Sequence, residues 1–94
     1  MKAELLDRIL ETVPGARREG TLYLIPDDAE VALYVSLPAE VLTIPRAARI
    51  ERGGDLLTVE SHQGDRYYVL LDTVEMVKIG AKTKHGPGRS TGFR

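Results

Sequence analysis

Three residues near the middle of the chain carry the side chains of a hydrolytic triad. Ser61, His62 and Asp65 supply a hydroxyl, an imidazole and a carboxylate within five positions. Catalysis requires the imidazole beside the hydroxyl and donors facing the developing oxyanion. Neighbouring side chains of an extended segment point to opposite sides, so Ser61 and His62 do not meet this requirement. We interpret the segment as a polar turn, predict no catalytic residue and expect the protein not to be an enzyme.

Metal and phosphate-loop motifs are also missing from the sequence. Cysteine is absent, and neither His62 nor His85 has a second histidine at the spacing of a zinc site. Residues 86–92, GPGRSTG, have the composition of a phosphate-binding loop. Such a loop also needs a strand directly before it and a helix after it, which this segment lacks. We expect no metal, no cofactor and no small-molecule substrate.

Basic residues are the remaining candidates for ligand chemistry. Guanidinium and ammonium groups bind phosphates through charge and hydrogen bonds, without reading a nucleic-acid sequence. The internal arginines support two interpretations, anion binding or strand-edge charges paired with acidic neighbours. The candidates for binding an anion or nucleic acid are Arg17, Arg18, Arg46, Arg49, Lys78, Lys82, Lys84, Arg89 and Arg94.

Aromatic residues could add stacking on a base or packing on a partner. Tyr67 and Tyr68 are consecutive, so they lie on opposite faces of a predicted strand. We assign Tyr68 to the core and Tyr67 to a stacking or interface role, with a half-buried structural side chain as the alternative for Tyr67. Phe93, the only large apolar residue from Gly80 onward, is the second interface candidate.

Charge is divided unevenly along the chain. Residues 1–75 contain all 14 acidic residues and 8 Lys and Arg, whereas residues 76–94 contain five Lys and Arg and no acid. Residues 80–94 are rich in Gly, Ser and Thr and have little apolar surface to bury. We predict one folded domain over residues 1–79 and a flexible basic tail over 80–94. The tail is either a solvated terminus or an arm that docks on nucleic acid or an acidic surface.

Length and composition limit the function classes. The chain has 94 residues, of which 43% are hydrophobic, and a formal net charge of -1. This size allows one core but excludes a multi-domain enzyme. The N-terminal segment has no signal-peptide pattern, and no stretch approaches the roughly 18 apolar residues of a membrane span. We expect a cytoplasmic protein that does not associate with membranes.

Apolar periodicity predicts a helix followed by short strands. Leu6, Ile9, Leu10 and Val13 recur at helical spacing, which predicts an amphipathic helix over residues 3–13. We expect residues 14–20 to form a loop. Extended segments between turn residues predict strands at 21–26, 31–37 and 41–44, and the residues after Asp72 predict a helical or 3-10 turn before a final strand.

Two hairpins follow from the glycines and the alternation of side chains. Gly53-Gly54 predicts a two-residue turn between strands 48–52 and 55–61, with Ile50 opposite Leu57. A turn of even length at residues 62–65 places Tyr68 opposite Val59 on the core side.

These elements predict an α+β fold. The N-terminal amphipathic helix packs on a strongly bent antiparallel sheet or on a small barrel of about five to six strands. A helix, about five strands and a tight turn before the last strand are similar to the elements of SH3-like and Sm-like β-barrels, a resemblance of fold that carries no function. The residues resemble no family closely enough to assign one.

The predicted function is that of a non-enzymatic accessory or regulatory protein. Apolar residues on both sheet faces leave more surface than one helix covers, which favours contact with a protein partner or self-association. The alternative is a module that binds nucleic acid or an anionic ligand through the loop arginines and the basic tail.

Overall fold

Residues 1–81, which the computed structural model describes, form one helix and eight strands. The final strand ends two residues beyond the predicted domain boundary at residue 79. The elements are α1 (Ala3–Leu10), β1 (Arg17–Glu19), β2 (Leu22–Leu24), β3 (Ala29–Leu37), β4 (Glu40–Ile44), β5 (Ala47–Gly53), β6 (Leu56–Ser61), β7 (Arg66–Leu70), a 3-10 turn (Leu71–Thr73) and β8 (Val74–Ala81).

The strands of the described region form two antiparallel sheets. Five strands lie in the order β1-β2-β5-β6-β7 and three in the order β4-β3-β8. The prediction of a helix combined with antiparallel sheet is confirmed. The barrel of five to six strands is not confirmed, since residues 1–81 form two sheets and no closed barrel. Pro45 lacks an amide donor and Arg46 adopts φ 52°, and these two residues connect β4 in one sheet to β5 in the other.

The hydrophobic core is shared by the helix and the inward faces of both sheets. Leu6 and Leu10 lie one turn apart on α1 and are fully buried. Along β3, buried side chains alternate with more exposed ones, and Val31, Leu33 and Val35 belong to the same core. The periods of helix and strand therefore decide which faces pack inward.

The helix ends earlier than its apolar periodicity predicts. It stops at Leu10, and the chain then tightens as Thr12 Oγ1 donates to the Ile9 carbonyl at 2.6 Å. Pro14 has no amide hydrogen to donate to the Leu10 carbonyl, which accepts from Val13 instead, and Pro14 disfavours helical backbone at Val13. Val13 still reaches the core from the following turn and is only 4% exposed.

The predicted loop over residues 14–20 contains a strand. Arg17 pairs with Leu24 and Glu19 with Leu22 across a turn in which Gly20 has φ 64°. All three residues of β1 are charged and exposed. A strand is recognised in a sequence by apolar residues at alternate positions. This segment has no apolar residue, so the sequence does not predict a strand here.

The first predicted hairpin forms two residues out of the expected register. Ile50 pairs with Val59 instead of Leu57. The turn consists of residues 54–55, because Gly54 has φ 62° whereas Gly53 belongs to β5. A shift of two residues keeps every side chain on its own face, so these three apolar residues are buried as predicted.

The second hairpin is one residue out of the expected register. The side chains of β7 therefore lie on the opposite faces of the sheet from those predicted. Val59 pairs with Tyr67, which packs against the core, and Tyr68 is 61% exposed. The assignment of Tyr68 to the core is therefore wrong. The turn between the paired residues spans five positions, 61–65, with Gly64 at φ 96°, whereas the prediction used an even-numbered turn.

The end of the described chain agrees with the predicted sequence of elements. Leu71–Thr73 form a 3-10 turn, and β8 then returns along β3. Thr73 Oγ1 donates to the Leu70 carbonyl at 2.6 Å and closes this turn. No helix within residues 1–81 is long and apolar enough to cross a membrane.

Candidate functional site

The outward face of the five-stranded sheet carries two parallel rows of side chains. Directly paired residues of adjacent strands point to the same face, so each row crosses all five strands. The arginine row consists of Arg17, Leu24, Arg49, Glu60 and Arg66. The glutamate row consists of Glu19, Leu22, Glu51, Thr58 and Tyr68, and beyond it lie Leu56 and Leu70.

Large apolar side chains are exposed together at one end of this face. Tyr68 is 61% exposed, Leu70 59% and Leu56 42%. Leu56 pairs directly with Leu70, and Tyr68 lies two residues before Leu70 on the same strand. An isolated exposed leucine is ordinary on a protein surface, whereas adjacent ones form a contact patch.

Polar contacts hold the charged side chains of the face in place. Arg66 Nε donates to a Glu60 carboxylate oxygen at 2.9 Å, and Arg66 Nη1 donates to the Tyr68 hydroxyl at 3.4 Å. These hydrogen bonds raise the pKa of Arg66 above its ordinary value, and the bond to Tyr68 contributes more than the bonds to Glu60. Arg49 lies on the other side of Glu60, with Nε 3.7 Å from the carboxylate.

A shallow depression of about 320 Å³ lies in the middle of the two rows. Thr58, which has the shortest side chain of the two rows, lies among longer neighbours. The lining residues are Leu22, Arg49, Glu51, Thr58, Glu60, Arg66 and Tyr68. The depression is thus ringed by both cations and anions, and it contains an exposed aromatic ring.

The structure distributes the predicted internal cations over three surfaces. Arg17 and Arg49 share the arginine row. Arg18 faces the other side, where it forms an ion pair with Glu11 at 2.9 Å and lies over the Tyr23 ring, 5.3 Å from its centroid. Arg18 therefore joins the helix to the sheet, and its charge is already paired within the chain.

Arg46 and Lys78 come together at the outward face of the three-stranded sheet. Both line a depression of about 230 Å³, together with Ala32, Tyr34 and Thr43. Ala32 is paired with Lys78, and its short side chain leaves space between the longer ones. Glu30 also lines this depression and lowers its net positive charge.

The unusual backbone of Arg46 is held by the second hairpin turn. The His62 amide donates to the Arg46 carbonyl at 2.8 Å. The Arg46 guanidinium lies 3.5 Å from an Asp27 carboxylate oxygen, and His62 Nδ1 lies 3.8 Å from the same oxygen. A left-handed conformation costs a residue with a Cβ about 1 kcal/mol, and the hydrogen bond from the His62 amide helps to hold it.

The serine of the triad-like segment has structural partners. Ser61 Oγ accepts hydrogen bonds from the amides of Gln63 and Asp65, both at 3.2 Å. This is the pattern of a side chain that stabilises its own turn. Within residues 1–81, no three His, Asp or Glu side chains come together as metal ligands.

The register shift of the second hairpin exchanges the positions predicted for the two tyrosines. Tyr67, predicted to stack or to form an interface, is half-buried against the core, whereas Tyr68 occupies the exposed face. Arg66 was absent from the predicted set because only the pairing of β6 with β7 places it in the arginine row. The tail candidates Lys82, Lys84, Arg89, Phe93 and Arg94 lie outside the described residues.

Comparisons with known proteins supply no functional assignment. No family model, no curated protein and no solved structure matches the chain.

Proposed function

We propose that this protein is a non-enzymatic accessory module that self-associates through the outward face of its five-stranded sheet. The observation that carries the proposal is the adjacency of Tyr68, Leu70 and Leu56, which are all more than 40% exposed on one face. Covering apolar surface contributes roughly 25 cal/mol per Å². A second protein surface on this face would therefore gain free energy from the patch.

The balanced charge of the face favours a protein partner over nucleic acid. Three arginines occur with three glutamates in the two rows, so the formal charges cancel. Nucleic-acid binding needs an excess of cations that displace counterions from phosphates. Mixed charges beside aromatic and apolar side chains are instead typical of protein interfaces.

The proposal is tested by solution mass at increasing protein concentration. Light scattering of the wild-type chain is expected to approach at least twice the 10.4 kDa of one copy. Tyr68→Thr combined with Leu70→Thr should shift the protein toward a single copy, because the apolar patch is lost while threonine retains strand preference.

A matched control uses the other sheet. Met76 and Val41 are 48% and 57% exposed on the outward face of the three-stranded sheet. Met76→Thr combined with Val41→Thr removes similar apolar surface and should leave the mass unchanged. A wild-type protein that stays a single copy at every concentration, or equal effects of both double variants, would overturn the proposal.

A second candidate function is binding of a small anion between Arg46 and Lys78. The specific observation is that these two predicted cations line one depression with the hydroxyl-bearing Tyr34 and Thr43. The volume of about 230 Å³ and the presence of Glu30 favour a small carboxylate or phosphate over a nucleic-acid strand.

Inorganic phosphate and acetate serve as probes for this second candidate. Titration of either probe should shift the amide resonances of residues 32 and 34, and Lys78→Gln should weaken the response severalfold. Lys2→Gln, an exposed change on the N-cap residue of α1, is the control of equal charge. Equal responses in both variants would exclude this site.

A further inference from the structure

The arrangement of the two charged rows defines how a second copy fits the sheet face. From this arrangement we infer that two copies pack face to face about a two-fold axis that lies between the rows and runs parallel to them. The inference rests on the proposed self-association. A rotation of 180° about this axis keeps each strand over its counterpart and exchanges the two rows.

The exchange places opposite charges against each other. On the central strand β5, Arg49 of one copy faces Glu51 of the second copy, and the symmetric pair forms as well. On β1, Arg17 faces Glu19 of the second copy. A like-charge arrangement would result if the axis ran along either row, so the charge pattern selects the position between them.

The remaining positions of the rows are also complementary. On β2, Leu24 faces Leu22 of the second copy, which pairs two apolar side chains. On β7, the Arg66 guanidinium faces the Tyr68 ring, an arrangement that gives a cation–π contact. Within the two rows, each strand thus presents to its counterpart a pair that attracts or that buries apolar surface. Leu56 and Leu70 lie one level beyond the glutamate row, and the rotation places them over the 61–65 turn of the second copy.

The central depression faces a side chain of the second copy. On β6, Thr58 faces Glu60 of the second copy. The carboxylate of Glu60, held between Arg49 and Arg66 of its own copy, can accept a hydrogen bond from the Thr58 hydroxyl of the second copy. The rotation repeats this contact, so each copy covers the depression of about 320 Å³ in the other.

The size of the face predicts a weak dimer. Five strands spaced at about 4.8 Å span about 20 Å, and four levels spaced at about 6.8 Å, namely the turn, the two rows and the Leu56–Leu70 pair, also span about 20 Å. Covering it on both copies buries about 800 Å² in total, which is less than the roughly 1,200 Å² at which stable specific interfaces begin. Because packed sheets cross at about 30°, contacts are closest at β5 and looser at the outer strands. Among the charged positions, those on β5 should therefore have the largest effect.

Charge reversal on β5 tests the pairing directly. Arg49→Glu alone and Glu51→Arg alone each create two like-charge contacts per dimer, and each should weaken dimerisation at least tenfold in sedimentation equilibrium. The chain carrying both substitutions should dimerise as the wild-type chain does, because the pairs form again with exchanged signs.

Mixing the two single variants provides a second test. The Arg49→Glu and Glu51→Arg chains should dimerise with each other although each alone should dimerise at least tenfold more weakly than the wild type. Lys78→Glu has the same net charge as Arg49→Glu but lies on the outward face of the other sheet, and it should not bind the Glu51→Arg chain. Equal binding by both would show attraction by net charge only and would overturn the pairing.

A spin label at Thr21→Cys distinguishes this dimer from an edge-to-edge one. The chain has no other cysteine, and Thr21 is an exposed turn residue outside both rows. Face-to-face packing places the two labels about 20 Å apart, whereas pairing of the two β7 edges places them about 40 Å apart. The longer distance would overturn the inferred packing and leave the proposed self-association intact, whereas a single-copy wild type would remove both.

Discussion

At the residue scale, Tyr23 is a buried side chain whose hydroxyl proton contributes to stability. It is 3% exposed, and its hydroxyl donates to an Asp7 carboxylate oxygen at 3.2 Å. Arg52 Nη2 donates to the other oxygen of Asp7 at 3.0 Å, so one carboxylate joins α1 to two strands. Burial first, and the negative charge of Asp7 second, raise the pKa of Tyr23 above its ordinary 10.0.

This shift predicts a stability change at alkaline pH. The folded protein keeps the Tyr23 proton to higher pH than the unfolded chain, so the contribution is complete below pH 10 and is lost as pH rises through the folded pKa. The free energy of unfolding should therefore fall above pH 10 more steeply for the wild type than for Tyr23→Phe. Urea unfolding of both proteins from neutral to alkaline pH measures this, and parallel curves would contradict it.

At the scale of elements, the first hairpin depends on one glycine of its pair. Gly54 has φ 62°, whereas Gly53 lies in β5 with open space at its Cβ position. Gly54→Val should destabilise the protein by about 2 kcal/mol, because a β-branched residue fits left-handed backbone poorly. Gly53→Val should leave stability nearly unchanged, since valine suits a strand.

Thermal unfolding of the two glycine variants measures this difference. The pair is matched in composition, so only the backbone conformation at the two positions differs. Equal destabilisation would show that the turn is not formed by residues 54–55.

The hairpins also show which parts of the fold the sequence determines. Alternation identified the strands around Ile50 and Val59 and their buried side chains, because a two-residue error in register preserves the faces. It assigned Tyr68 to the wrong side, because turn length depends on backbone conformation at Gly64 that residue types alone do not specify. The strand at Arg17–Glu19 has only charged residues, so its pairing with β2 decides its structure.

At the scale of the whole molecule, the candidate site is a product of pairing between distant strands. Arg17, Arg49 and Arg66 are separated by 17 or more positions in sequence and share one row only after β2, β5 and β6 align them. Net charge of -1 over the chain conceals this local order. Composition could therefore predict a single core, but not a face with alternating charged rows.

The five-residue turn at 61–65 makes the chemistry of that face sensitive to insertions and deletions. Removing one residue from the turn would advance β7 by one position and exchange Tyr68 and Leu70 for Tyr67 and Val69 on the outward side. Such a change alters the surface of an entire strand without any substitution in it. Descendants of this sequence could thus acquire a different partner in a single mutational step, and alignments that allow a gap at this turn would group chains whose exposed surfaces differ.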